Sequence, residues 1–116
     1  MFVRVNIDQL YDVGTAVAYD SDLAKWSRAA NGAQLFGFVE KTGTHEDGTS
    51  WGQVRFGGVS HAVADRAIPD EGGYLGVLDG RVYVATANDH CGIIAPMSHS
   101  DTSSRGENDL VLVYIR

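Results

Sequence analysis

Hydrophobic and polar positions alternate in short runs along this 116-residue chain. Phe2 to Ile7 opens it, with Val3, Val5 and Ile7 on one face and Phe2, Arg4 and Asn6 on the other. That is the period of a half-buried strand. Further runs follow at Thr15 to Tyr19, Trp26 to Ala30, Leu35 to Val39, Trp51 to Phe56, Tyr74 to Leu78, Arg81 to Ala85, Cys91 to Pro96 and Leu110 to Ile115. Turn chemistry separates them: Asp20-Ser21-Asp22, Asn31-Gly32, Pro69 through Gly73, Asp79-Gly80 and Asn88-Asp89. The pair of runs from Leu35 to Val59 reads as two adjacent strands joined by a long exposed loop, Lys41 to Ser50. Runs this short, at spacings of roughly ten residues, predict an all-β fold. We expect one domain over residues 1–116, a small β-barrel or sandwich of about eight to nine short antiparallel strands. At most one short helix is expected, with Ser60 to Ala67 and Gln9 to Val13 as the places for it. Residues 2–7 form the N-terminal strand. The last run is apolar on both faces, which predicts a central strand set against the N-terminal one. The polar segment 98–108 reads as a mobile loop.

One stretch echoes another. Trp26, Ala30-Asn31 and Leu35-Phe36-Gly37-Phe38-Val39 resemble Tyr83, Ala87-Asn88 and Cys91-Gly92-Ile93-Ile94. In each, a strand carrying an aromatic residue leads through an Asn-containing turn to a strand with glycine inside it. Two readings stand. Small β proteins reuse such hairpins, or the chain is pseudo-symmetric and its glycines mark bulges or close strand approach.

Composition changes this picture mainly by exclusion. The net charge is −6 and the nine basic residues are scattered, which argues against nucleic acid as a partner, since phosphate binding needs clustered cations. The single cysteine, Cys91, excludes an intrachain disulfide. The sequence MFVRVNIDQL lacks the apolar core of a signal peptide, and no run has the length of a membrane span. A soluble protein with no membrane partner is expected.

Candidate chemistry is sparse. His45, His61, His90, Cys91 and His99 are the possible ligands or catalysts, yet no pair has zinc spacing. His90 and Cys91 are neighbours and on a strand point to opposite faces. His61 and Asp65 have the spacing of one helical face. Asp20-x-Asp22 supplies two carboxylates and then stops, short of a calcium loop. Glycines form no phosphate loop, and no nucleophile elbow appears. No catalytic residue, metal or cofactor is therefore expected. Contact residues are expected instead on loops and on the N-terminal strand. They are Phe2 and Arg4, His45, Glu46 and Asp47 in the loop Thr42 to Ser50, Trp51 beside it, and His99 and Arg105 in the segment Ser98 to Asn108. Trp26 and Phe56 are assigned to the core, or to an interface where exposed.

The run of cues resembles the small β domains of tailed-phage capsid decoration proteins and head fibres. It is carried by Gly14-Thr15-Ala16-Val17, Trp26 to Ala30, Leu35 to Val39, Val54-Arg55-Phe56-Gly57-Gly58-Val59, Tyr74-Leu75, Asp79 to Tyr83 and Gly92 to Ala95, closed by a terminal strand. It covers most of residues 14–116, and strand 2–7 stands outside it. The resemblance implies a non-enzymatic structural protein that binds the major capsid protein of an assembled head and stabilises it. It also implies a homo-oligomer, often a trimer, made in the host cytoplasm and carried on the virion surface. The alternatives are a head- or tail-fibre module that recognises host glycan, and a small β-barrel enzyme using His90 or His61 as base.

Overall fold

A computed structural model describes residues 2–30, 37–85, 93–96 and 105–115. The fold is all-β, and no helix occurs among the described residues. Ten strands occur among the described residues, against about eight to nine expected: β1 (Phe2–Ile7), β2 (Ala16–Asp20), β3 (Lys25–Arg28), β4 (Gly37–Thr44), β5 (Ser50–Arg55), β6 (Gly58–Val63), β7 (Gly73–Leu78), β8 (Arg81–Val84), β9 (Ile93–Ala95) and β10 (Leu110–Ile115). The first five close into a barrel in the order β1-β3-β2-β4-β5, with β5 returning to β1. The last five form a sheet in the order β6-β10-β9-β7-β8. A single parallel bridge, Ala64 to Val82, joins its two edges.

Several expectations are corrected. Of the two places left open for a short helix, Ser60–Ala67 is instead begun by β6, which runs to Val63 and alternates buried Ser60 and Ala62 with exposed Val59 and His61. Gln9 to Val13 is irregular. The loop after Lys41 is shorter than expected, since β4 continues to Thr44. The strands are not all antiparallel: β1 and β3 pair in parallel at Ile7 and Trp26. The terminal strand does not meet β1, whose antiparallel side is taken by β5. It lies instead between β6 and β9. Residues 31–36, 86–92 and 97–104 lie outside the described residues, and with them Asn31-Gly32, His90, Cys91 and His99.

The two halves share more than a strand count. Each runs as a first strand in parallel with a third, the third antiparallel to the second, then second to fourth, fourth to fifth and fifth back to first. Their registers match as well. Matching Ile7–Trp26 to Ala64–Val82 makes Tyr19 equivalent to Val77 through the hairpins. The next ladder makes Gly37 equivalent to Ile93, and the one after makes Arg55 equivalent to Tyr114. The last makes Phe2 equivalent to Val59, which returns Ile7 to Ala64 with no slippage. Number of strands and stagger together fix the shape of a barrel, so the halves are two builds of one plan. The fold is pseudo-symmetric, but not in the alignment of the echo: its registers make Trp26 equivalent to Val82 rather than Tyr83, and Phe38 equivalent to Ile94 rather than Ile93.

Two apolar clusters hold the halves. One lies inside the first barrel: Ile7, Tyr11, Val17, Val39 and Val54, with Val5, Trp26 and Phe56 packed against it. The other fills the second half, with Leu75, Val77, Val82, Ile93, Val111 and Val113 fully or almost fully buried. Ala16, Ala29 and Phe38 of the first barrel belong to this second cluster. They point outward from their own barrel and are completely buried by the other half. The tip of the β7–β8 hairpin completes the joint. Ala16 N–H donates to the Gly80 carbonyl (2.8 Å) and Gly80 N–H donates to the Ala29 carbonyl (2.9 Å). Gly80 thus inserts into the end of the β2–β3 ladder.

A candidate protein interface on the first barrel

Period-two alternation decides which side chains reach the surface here. On β1 and β5, Ile7, Gly52 and Val54 turn inward and are buried. The residues between them, Arg4, Asn6, Trp51 and Gln53, face outward. Register then brings them together. Asn6 pairs with Trp51 and Arg4 with Gln53, which sets Arg4 diagonal to the indole. The Arg4 guanidinium lies 3.9 Å from the Trp51 ring centroid. Trp51 in turn lies across Gly43 on the neighbouring strand, where an added Cβ would sit 2.3 Å from the ring. A glycine at that point gives the indole a flat seat on the sheet. Phe2, at the free end of β1, is 56% exposed.

The β4–β5 turn stands beside this platform. His45 N–H donates to the Thr49 carbonyl (2.7 Å) and Gly48 N–H to the His45 carbonyl (3.0 Å). Gly48 takes φ of +88°, a conformation in which glycine carries no Cβ penalty. One Asp47 oxygen accepts from both the Thr49 amide (2.9 Å) and its hydroxyl (2.6 Å). Those bonds favour the ionised carboxylate and lower the Asp47 pKa. His45 Nε2 lies 3.4 Å from Asn6 Oδ1, tying the turn to β1. Asn6, His45, Glu46, Asp47 and Thr49 line one shallow depression. On the other flank, Glu40 sits where a bulge interrupts β4. Its partial burial pushes the carboxyl pKa up, but hydrogen bonds from Arg55 Nε and from Gln53 (3.2 Å) outweigh that and hold it below the ordinary range.

The fold therefore gathers six of the eight expected contact residues, Phe2, Arg4, His45, Glu46, Asp47 and Trp51, on one side of the first barrel. His99 lies outside the described residues. Arg105 departs from the expectation. It is only 8% exposed, its Nη2 donates to the Pro96 carbonyl (2.6 Å), and its own carbonyl accepts from Ile68 N–H (2.9 Å). It holds chain segments together and is not offered to a partner from this surface. Nothing in the polar run around it signalled burial. Trp26 is half-buried, in edge-to-face contact with Phe56 at 5.3 Å, so these two serve the core.

A cleft between the halves escaped the sequence reading. It is lined by Tyr11, Arg28, Asp79, Arg81 and Asn108 among others. Its cations are engaged: Arg28 with Asp79 (3.8 Å), Arg81 with Asp65 (3.3 Å) and with Asn108 (2.6 Å). Asp65 serves Arg81 and Arg66, and His61 lies on β6, so the two do not share a helical face. Asp20 accepts from the amides of Asp22 and Leu23, a capped turn. No group of three or more His, Cys, Asp or Glu side chains suited to a metal ion occurs among the described residues. Compared with protein-family models, curated proteins and solved structures, the chain matches none of them.

Proposed function

We propose that this chain is a structural protein of a tailed-phage head, a decoration protein that binds the assembled major capsid protein and stabilises the shell. The contact surface in this reading is the outer face of β1 and β5 with the His45–Thr49 turn. One observation carries it: an arginine stacked on a half-buried tryptophan, beside an exposed Phe2, on two paired strands of a closed barrel. Tryptophan and arginine are the residues that dominate protein interfaces. A surface already rigid on the sheet loses little freedom on binding. The acidic turn next to it adds charge selectivity, which governs encounter and register more than affinity. Acting as a small homo-oligomer, a trimer in this reading, the protein presents several platforms to a repeating lattice, and avidity multiplies a modest contact. No reaction is assigned to it.

The test uses heads of the parent virus assembled without this protein. The expected result is co-sedimentation of the purified protein with the heads and a higher melting temperature of the shell. Trp51→Ala should weaken binding about tenfold or more, as loss of a central aromatic anchor does. Absence of binding to such heads, or binding to host glycan alone, overturns the reading. Binding unchanged in Trp51→Ala removes this face from it.

A further inference from the structure

The first barrel closes unevenly. β1 pairs with β5 along its whole length, Phe2 to Ile7, but meets β3 only where Ile7 faces Trp26. From Phe2 to Asn6, no described strand lies against its other side. Alternation shows what this leaves open. Val3, Val5 and Ile7 share the inward side of β1, yet Ile7 is 1% exposed, Val5 is partly buried and Val3 is 44% exposed. The wall thus lacks a piece beside an inward-facing valine. The backbone agrees. Asp8 N–H donates to the Trp26 carbonyl (3.2 Å), so the even-numbered residues of β1 turn their backbone groups away from β5. Asn6 N–H and both backbone groups of Arg4 therefore face the opening.

The second half shows that such an opening accepts a chain. At its equivalent bridge, Ala64 with Val82, Asp65 N–H donates to the Val82 carbonyl as Asp8 does to that of Trp26. Val63, the equivalent of Asn6, donates its N–H to the carbonyl of Gly14 (3.0 Å), which belongs to another segment. Asn6 N–H has no such carbonyl among the described residues. The side chains around the opening indicate what fits it. On the inner side stand Val3, Val5 and Trp26. On the outer side stand Arg4 and, at the start of β3, Lys25, which alternation turns away from the inward Trp26. Neither cation makes an ion pair with the described residues. Asp20, across the ladder from Lys25, has its Oδ1 on the amides of Asp22 and Leu23.

We propose that this opening takes an extended segment of another protein, added as a strand beside β1, with apolar residues turned inward and acidic residues turned outward. Only an extended backbone offers donors and acceptors at the spacing that Arg4 and Asn6 present. Those bonds supply affinity, and the pockets for alternate side chains supply specificity. The apolar residues cover Val3, Val5 and Trp26, and the acidic ones meet Arg4 and Lys25. A second copy pairing through the same edge fits less well, because it sets Arg4 against its own kind, and like charges across a strand pair are destabilising. The inference goes beyond the shell-binding reading and is measured with no capsid present.

The experiment is amide hydrogen exchange of the isotope-labelled parent chain, read by NMR, with a short synthetic peptide alternating valine and glutamate as the probe. The Arg4 and Asn6 amides should exchange about tenfold more slowly with the peptide than without it, while the Val5 amide, turned toward β5, changes little. A peptide alternating valine and lysine should bind about tenfold more weakly. A glutamate peptide methylated on its backbone nitrogens should give no protection. Asn6→Pro removes a donor that the described chain does not use, so it should fold, as circular dichroism checks, and should lose peptide binding. If it fails to fold, the methylated peptide tests the same bonds with no variant. Unchanged exchange at Arg4 and Asn6 in millimolar peptide overturns the proposal. So does equal binding of the lysine peptide or of the methylated one. Protection of both amides that grows with protein concentration alone makes a second copy the occupant and overturns it as well.

Discussion

The first barrel and the second half solve the same topology with different side chains. In the first, Ile7 fills the space beside Gly52, where an added Cβ would meet the Ile7 side chain at 3.3 Å. In the second, the equivalents are Ala64 and Val111, both fully buried. Large-and-small has become small-and-large. Gly37, whose Cβ would strike Val54 at 2.4 Å, likewise corresponds to the buried Ile93. Cores tolerate such exchanges when total volume and pattern are kept. The interior thus keeps its inward pattern rather than its residues, which is how two halves with one register share so little sequence. In the outer rows the environment changes as well: Phe38 is completely buried, whereas its equivalent Ile94 is only partly buried.

The largest expected effect tests that difference directly. Phe38→Ala should destabilise the protein by about 3–5 kcal/mol, the usual range for emptying an aromatic site in a core. Ile94→Ala, at the equivalent place, should cost only about 1 kcal/mol, because part of that side chain already meets water. Urea unfolding of both variants checks the pair. Equal losses would mean that the two rows do not differ in the way their burial indicates.

Glycine offers a finer comparison. Gly80 and Gly48 both have positive φ, +78° and +88°. A Cβ on Gly48 meets nothing within 4 Å, whereas one on Gly80 meets Arg28 Cγ at 2.5 Å and Thr15 Cγ2 at 3.0 Å. Gly48→Ala should therefore cost only the left-handed backbone term, about 1–2 kcal/mol. Gly80→Ala adds overpacking at the joint and should reach about 3 kcal/mol. The excess, read from urea midpoints, measures how tightly the hairpin turn is seated between Ala16 and Ala29.

The Gly80 turn also shows how much the sequence could reveal. Asp79-Gly80 is legible because both residues take positive φ there, and that local demand selects glycine. Strand positions are legible for the same reason, since alternation is a property of neighbours in the chain. What joins distant strands is not written locally. The parallel pairing of β1 with β3 closes the first barrel and the placing of β10 between β6 and β9 builds the second sheet; no run of residues announces either. Leu110 to Ile115 read as apolar on both faces, and the structure explains why. Val111 and Val113 fill the core, while Tyr114 belongs to an outer stripe that is apolar without being buried. The candidate site divides in the same way. The outward set of Arg4 and Trp51 follows from alternation, but the stacking of one on the other needs the β1–β5 register. The burial of Arg105 is not legible, because a polar run describes its neighbours and says nothing of the Pro96 carbonyl it bonds.

The smallest effect is electrostatic and separates the halves at one position. Arg55 pairs with Glu40 in the first barrel, and its equivalent in the second half is the aromatic Tyr114. Glu40 is held below the ordinary carboxylate range against the opposing effect of its own burial. A carboxyl with a depressed folded-state pKa binds protons less readily folded than unfolded. Its contribution is present above the unfolded value, about 4.3, and is lost as pH falls through the folded one. Both side chains are about a quarter exposed, at 28% and 26%, so solvent screens the pair. The contribution should be about 1 kcal/mol or less. Glu40→Gln should remove that share of the acid sensitivity, so that the loss of stability between neutral pH and pH ~3 is smaller in the variant than in the parent. Tyr114→Phe, at the matching place in the second half, should leave the pH dependence unchanged over this range, because it removes no carboxylate. Urea midpoints across that range decide it: a Glu40→Gln profile parallel to the parent's would mean that the Arg55 pair contributes nothing to folding.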